Sequence, residues 1–147
     1  MDDTDIKILN YLRENSRENA SGIGEKVNMS VSAVIERIKK LESSGVIKQY
    51  TLVLDSKKVG KDVMAFISVS IEHPKYNDCF TDFVKQNENI IECNYITGDF
   101  DFLLKVCVDS TESLEKVLNE IKSVQGVSLT RTLIVLSTIK NNYSVCP

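Results

Sequence analysis

Three groups of residues have types and spacings that could do chemistry. The first is the run Ser30-Val31-Ser32-Ala33-Val34-Ile35-Glu36-Arg37-Ile38-Lys39-Lys40. On a helix, its outward residues are Val31, Ser32, Ile35, Glu36, Lys39 and Lys40, with Arg37 at the shoulder. Ser32 can donate to or accept from a base edge or a phosphate, and Arg37, Lys39 and Lys40 can neutralise phosphates. Between Met29 and Tyr50, the basic Arg37, Lys39, Lys40 and Lys48 stand against Glu36 and Glu42, a local +2 in a chain of net charge −3. A solvated helix face is the plain alternative. The second group is the turn Thr97-Gly98-Asp99-Phe100-Asp101, two carboxylates and a hydroxyl around a glycine. It reads either as ordinary hairpin chemistry or as a pocket for the ammonium and carboxylate of a small zwitterion. Thr130 and Thr132 share one parity of the last strand, so their hydroxyls can point into one cleft with it. The third group is Cys79, Cys93, Cys107 and Cys146 with the single histidine, His73. No CxxC pair exists, so metal binding is not expected, and neither is a cofactor. No nucleophile–base pair or glycine-rich phosphate loop offers a catalytic site, so the chain is not expected to be an enzyme.

The elements that must position these groups follow from periodicity. Ile6, Ile8, Leu9 and Leu12 mark a first helix that stops near Asn15. Ala20, Ile23 and Val27 mark a second, which Gly22 and Gly24 weaken by up to ~1 kcal/mol each relative to alanine. Asn28 suits a left-handed position after it. Ser30 is a natural N-cap for a third helix with Val34, Ile38 and Leu41 inside and Gly45 at its end. Two helices joined by a tight Val-Asn-Met-Ser turn have the spacing of a helix-turn-helix. Residues 46–54 are β-prone and predict an exit strand, and residues 55–60 are a polar connector.

The second half alternates with the period of strands. Val63, Ala65, Ile67, Val69 and Ile71 mark one strand, and Tyr76, Cys79, Phe80, Phe83 and Val84 a helix. Ile91, Cys93 and Tyr95 mark the second strand, and Phe102, Leu104, Val106 and Val108 the third. Leu114, Val117, Leu118, Ile121 and Val124 then mark a helix, and residues 127–139 a long fourth strand. The order βαββαβ is the ferredoxin-like arrangement, with both helices on one face of an antiparallel sheet. The other face carries Met64 and Phe66, and the last strand is apolar on both parities, through Leu129, Leu133 and Val135 on one and Ile134 and Leu136 on the other. A second copy of the chain is the simplest cover for that face, which predicts a homodimer.

The 147 residues suit one or two small domains. The expected division is 1–54 for the helix-turn-helix with its exit strand, 55–61 for the linker and 62–147 for the sensing and oligomerisation domain. The fold class is therefore α+β, a (winged) helix-turn-helix domain followed by a ferredoxin-like domain. With 42% hydrophobic and 27% charged residues the composition is that of a globular protein. No apolar run approaches the ~18–20 residues that cross a bilayer, so no membrane association is expected. The acidic start Met1-Asp2-Asp3-Thr4-Asp5 is unlike a secretory signal, and the expected location is the cytoplasm.

Several of these stretches resemble the leucine-responsive regulator family, Lrp/AsnC. They are residues 2–9, Arg17, Met29-Ser30, residues 34–47, Leu54-Asp55, Val59-Gly60, the segment 96–104 and the last strand from Gly126. The resemblance covers essentially the whole chain. It implies a transcription regulator that binds double-stranded DNA, dimerises through its second domain and assembles further, commonly to octamers. It also implies a free amino acid as effector, bound between dimers. Carried onto this sequence, the DNA-facing set is Ser30, Val31, Ser32, Ile35, Glu36, Arg37, Lys39 and Lys40. The effector set is Thr97, Gly98, Asp99, Phe100 and Asp101, with Thr130 and Thr132 supplied by a neighbouring chain. Some positions depart from the family pattern: Ile23-Gly24, Asn28-Met29, and Phe102 where tyrosine is common. Glu36 puts a negative charge on the DNA-facing surface. It either accepts from cytosine N4 or, as the spacing favours, pairs along the helix with Lys39 or Lys40. Arg37 either reaches a phosphate or braces the first helix through Asp3 or Asp5. Two rivals share this frame: a ligand-independent architectural DNA-binding protein, and a small-molecule-binding subunit acting on a protein partner.

Overall fold

Asp2 starts the molecule by capping its first helix. Its carboxylate accepts from the Asp5 N–H and its own N–H donates to the Asp5 carboxylate, both at 2.9 Å, a reciprocal capping box. In the computed structural model, which describes residues 1–147, this launches α1 (Asp3–Glu14). Helices α2 (Ala20–Val27) and α3 (Val31–Ser43) follow. Asn19 caps α2 through Gly22 N–H, and Ser30 caps α3 through Ala33 N–H. Ile8, Leu12, Ile23 and Val34 form the core of the three helices. The chain divides into two compact units, Met1–Val53 with Lys140–Pro147, and Leu54–Ile139.

Residues 46–54 correct the expectation of an exit strand. They form no ladder in the single chain. Ile47 N–H donates to Leu41 O and Ile47 packs on the helical core, while Leu52 and Leu54 are 79% and 57% exposed. β-propensity alone does not make a strand, because a strand needs a neighbour to take its N–H and C=O groups.

The second unit contains β1 (Val63–Ile71), α4 (Asn77–Gln86), β2 (Ile90–Tyr95), β3 (Phe102–Val108), α5 (Thr111–Ser123) and β4 (Val127–Ile134), with one 3-10 turn at Pro74–Tyr76. The sheet order is β2-β3-β1-β4, with every neighbouring pair antiparallel. Ala65, Ile67 and Val69 of β1 and Leu104, Val106 and Val108 of β3 are fully buried against Phe80 of α4 and Leu114, Val117 and Ile121 of α5, so both helices cover one face. The fourth strand is shorter than expected. Its pairing ends at Ala65↔Ile134 and a last bond from Val135 N–H to Met64 O, because β1 begins at Val63 and offers nothing beyond.

The uncovered face has the composition expected of it. Phe66 lies opposite Leu133, Ser68 opposite Arg131 and Ser70 opposite Leu129. Leu129 and Leu133 are 59% and 56% exposed, and Met64 and Phe66 are half-buried.

Candidate nucleic-acid interface and effector turn

The α2–α3 turn is built by close approach. Asn28 adopts φ 57°, ψ 50°, and the N–H groups of Asn28 and Met29 both donate to Gly24 O. A Cβ on Gly24 would lie 2.7 Å from Met29 O. The glycine that costs helix propensity is therefore what lets the turn pack on α2. Val34 and Leu41 anchor α3 on its inner side. Val31, Ser32, Ile35, Glu36, Lys39 and Lys40 are all exposed. Ser30 is occupied as the cap, and its hydroxyl also lies 3.2 Å from that of Ser32.

Arg37 takes the bracing role. Its guanidinium donates to Asp2 at 2.8 Å and to Asp5 at 2.7 Å, so its partners are Asp2 and Asp5, not Asp3. Backbone N–H donation within the capping box, and then the Arg37 guanidinium, hold both carboxyls below the ordinary carboxylate range. Hydrogen bonds to the two carboxylates raise Arg37 in turn. Arg37 thus ties α3 to the start of α1, and its charge is spent there. Glu36 also departs from expectation: neither Lys39 nor Lys40 lies within ion-pair distance of it, and the three stand separately on the outer face.

The turn between β2 and β3 is held at four points. Ile96 N–H donates to Asp101 O at 2.8 Å, and Asp101 N–H to Val69 O at 3.0 Å. Ser70 Oγ donates to Asp99 O at 3.2 Å, and Ile71 N–H to Asp101 Oδ2 at 2.7 Å. Gly98 takes φ 108°, which an L side chain resists. The role of Asp101 follows from register. β3 begins at Phe102, so Ile71 N–H falls beyond the ladder, and the Asp101 carboxylate takes the place of the missing backbone acceptor. Asp99 is left exposed.

Thr130 and Thr132 are not brought to this turn within one chain. They pair with Val69 and Ile67, whose side chains face the helices, whereas the turn is tied to Ser70, on the open face. The residue that does reach it is Arg131, which sequence reasoning missed. Its guanidinium lies 5.1 Å from the centre of the Phe100 ring. The alternation of β4, with Arg131 between the two threonines, was the available signal. Phe102 is 3% exposed, with its ring 4.8 Å from Phe80 and 5.1 Å from Tyr95, and so belongs to the core.

His73 is structural, since its Nδ1 accepts from Lys75 N–H and caps the 3-10 turn. The four cysteines are unpaired. Cys107 is buried with its Sγ 3.7 Å from Lys61 O, and burial pushes the Cys93 thiol up. No group of three or more His, Cys, Asp or Glu side chains converges. No helix is long and apolar enough to cross a membrane.

Comparison with known proteins agrees with both halves of this geometry. Residues 1–48 match the winged helix-turn-helix DNA-binding model, and residues 64–145 match the Lrp/AsnC ligand binding domain. The chain is 34% identical over 140 residues to the HTH-type transcriptional regulator FL11 of Pyrococcus furiosus, covering 95% of this chain and 92% of that one. It is 30% identical over 145 residues to the leucine-responsive regulatory protein of Escherichia coli, covering 97% and 88%. A transcriptional regulator of Neisseria meningitidis, solved as its complex with L-Met, superposes with a TM-score of 0.94 at 33% identity, over 99% of this chain and 96% of that one. A capped helix-turn-helix with an outward basic helix, followed by a ferredoxin-like unit with both its helices on one face, thus belongs to the Lrp/AsnC family: the chain is a DNA-binding transcriptional regulator with a ligand-binding domain, and not an enzyme.

Proposed function

We propose that this regulator reads duplex DNA with the exposed face of α3 and that a free amino acid, bound at the turn 97–101, sets its assembly or DNA affinity. The observation that carries the effector half is that the exposed Asp99 carboxylate shares its turn with Phe100, against whose ring the Arg131 guanidinium lies. A zwitterion needs an acceptor for its ammonium and a donor for its carboxylate. Asp99 supplies the first, and Arg131 with the N–H groups around Gly98 supplies the second. Asp101 is a positioning residue that holds the turn on β1. Thr130 and Thr132 complete the site from a neighbouring chain. The L-Met complex of the Neisseria relative supports the ligand class.

The protein works as a homodimer joined through the open sheet faces, and dimers assemble further, to the octamer that the family resemblance implies. Met64, Phe66, Leu129 and Leu133 supply the apolar contact. A regulator of the chromosome acts in the cytoplasm of the bacterial or archaeal cells that hold its relatives. Calorimetry with the twenty proteinogenic amino acids tests the effector half. At least one should bind at or below millimolar concentration, and Asp99→Asn with Arg131→Ala should abolish that heat. No binding by the wild type would leave a ligand-independent DNA-binding protein.

A further inference from the structure

Two exposed side chains of α3, Glu36 and Glu42, are of the wrong sign for a helix that only follows phosphates; Glu42 accepts from the Tyr50 hydroxyl at 3.0 Å, and Glu36 has no such partner. At ~100° per residue, Ser32, Glu36, Lys39 and Ser43 fall within a sector of ~60°, and Val34 and Leu41 lie on the opposite side. Val34 and Leu41 are buried, and the four outer residues are exposed. Glu36 therefore stands at one edge of that sector, ~30° from the direction opposite Val34 and Leu41, and still well within the outward face. The guanidinium next to it in sequence is committed to Asp2 and Asp5 at 2.8 and 2.7 Å. Lys39 and Lys40 stand apart from Glu36 and are available to phosphates.

A carboxylate there is repelled by phosphates and by every base edge that presents only acceptors. In the major groove, guanine shows N7 and O6 and thymine shows O4, all acceptors. Adenine shows its N6 donor beside the N7 acceptor, so a carboxylate that reaches N6 also meets N7. Cytosine shows the N4 donor with an acceptor on one side only, O6 of its paired guanine, and the apolar C5–H on the other, whereas adenine N6 is flanked by acceptors on both sides. A carboxylate accepts and cannot donate, so cytosine is the base that satisfies it.

We propose that Glu36 is a specificity-determining residue that accepts a hydrogen bond from cytosine N4 in the major groove and so fixes one base pair of each half-site. Lys39 and Lys40 supply affinity, and Glu36 withdraws it from every sequence that lacks cytosine at that position. The inference rests on α3 being the helix that enters the groove.

The test is selection from a randomised duplex pool by the full-length protein and its Glu36→Gln and Glu36→Ala variants. Wild type should favour cytosine at one position per half-site, on the order of tenfold. Glu36→Gln has both a donor and an acceptor, matches adenine N6 and N7, and should move the preference at that position to adenine. Glu36→Ala should lose the preference there alone and bind non-specific duplex more tightly. If Glu36→Ala keeps the wild-type preference at every position, the role of Glu36 is overturned while α3 remains the reader. If the wild type selects no sequence and no change on α3 alters duplex binding, both fall together.

Discussion

The double substitution Lys39→Ala/Lys40→Ala isolates the electrostatic part of DNA binding. Both lysines are exposed on α3, and neither is in an ion pair. Their removal should therefore cost phosphate contacts and leave the fold intact. Each neutralised phosphate contributes about 0.9 to the slope of log affinity against log salt, so two contacts per helix contribute roughly 1.8. Between about 50 and 200 mM salt, a fourfold range, the wild type should lose roughly twelvefold more affinity than the double variant for each α3 engaged. Fluorescence anisotropy with a labelled duplex across that range gives both slopes directly. The loss should be uniform across sequences, because phosphates carry no sequence information. Arg37→Met is the internal contrast. Arg37 is held by Asp2 and Asp5, so its loss loosens α3 and lowers affinity without flattening the slope. An unchanged slope in the lysine variant, or a flattened one in Arg37→Met, would refute this division of labour.

Other expectations follow from single contacts. Phe66→Asp places a carboxylate opposite Leu133 on the open sheet face; sedimentation should show the full-length protein losing its dimer, and an unchanged mass would remove that face from the interface. Gly24→Ala gains helix propensity of up to about 1 kcal/mol but forces a Cβ to 2.7 Å from Met29 O, and overpacking of about 1–3 kcal/mol should win. Its Tm should fall, and a rise would show that the turn relaxes freely. Asp2 and Asp5 have carboxyls held below their ordinary value of 3.8. Their contribution to stability is thus present above that value and is lost as pH falls through the lower folded-state values. Acid unfolding followed by circular dichroism should be less steep in Asp2→Asn/Asp5→Asn, and superimposable curves would contradict the brace.

What could be read from the chain alone was what is decided locally. Ser30 as cap, Asn28 in the left-handed region and the stripe of Val34, Ile38 and Leu41 depend on residues within a turn or two of one another, and the structure has them as expected. The alternation of β1 and β3 identified the buried face because one side is packed on helices. The misses are all relational. Residues 46–54 and 136–139 have strand composition, but no strand pairs with them in one chain. Arg37 chose Asp2 over Asp3 because Asp2, as N-cap, points its carboxylate back over the first turn. That the Asp101 carboxylate accepts from Ile71 N–H depends on the register of β1 and β3, which the turn sequence does not show. Arg131, on the opposite parity of β4 to Thr130 and Thr132, is found only when the turn is placed over the open face.

In the proposed function an amino acid and DNA are coupled through these two sites, and a single titration can follow both at once. Anisotropy titrations of the full-length protein onto its selected duplex would be run with each of the twenty proteinogenic amino acids at millimolar concentration. At least one should shift the midpoint or steepness of binding, and Arg131→Ala should erase that shift while its binding without amino acid stays at the wild-type level. Twenty superimposable curves would show that no proteinogenic amino acid is coupled to DNA binding in this protein.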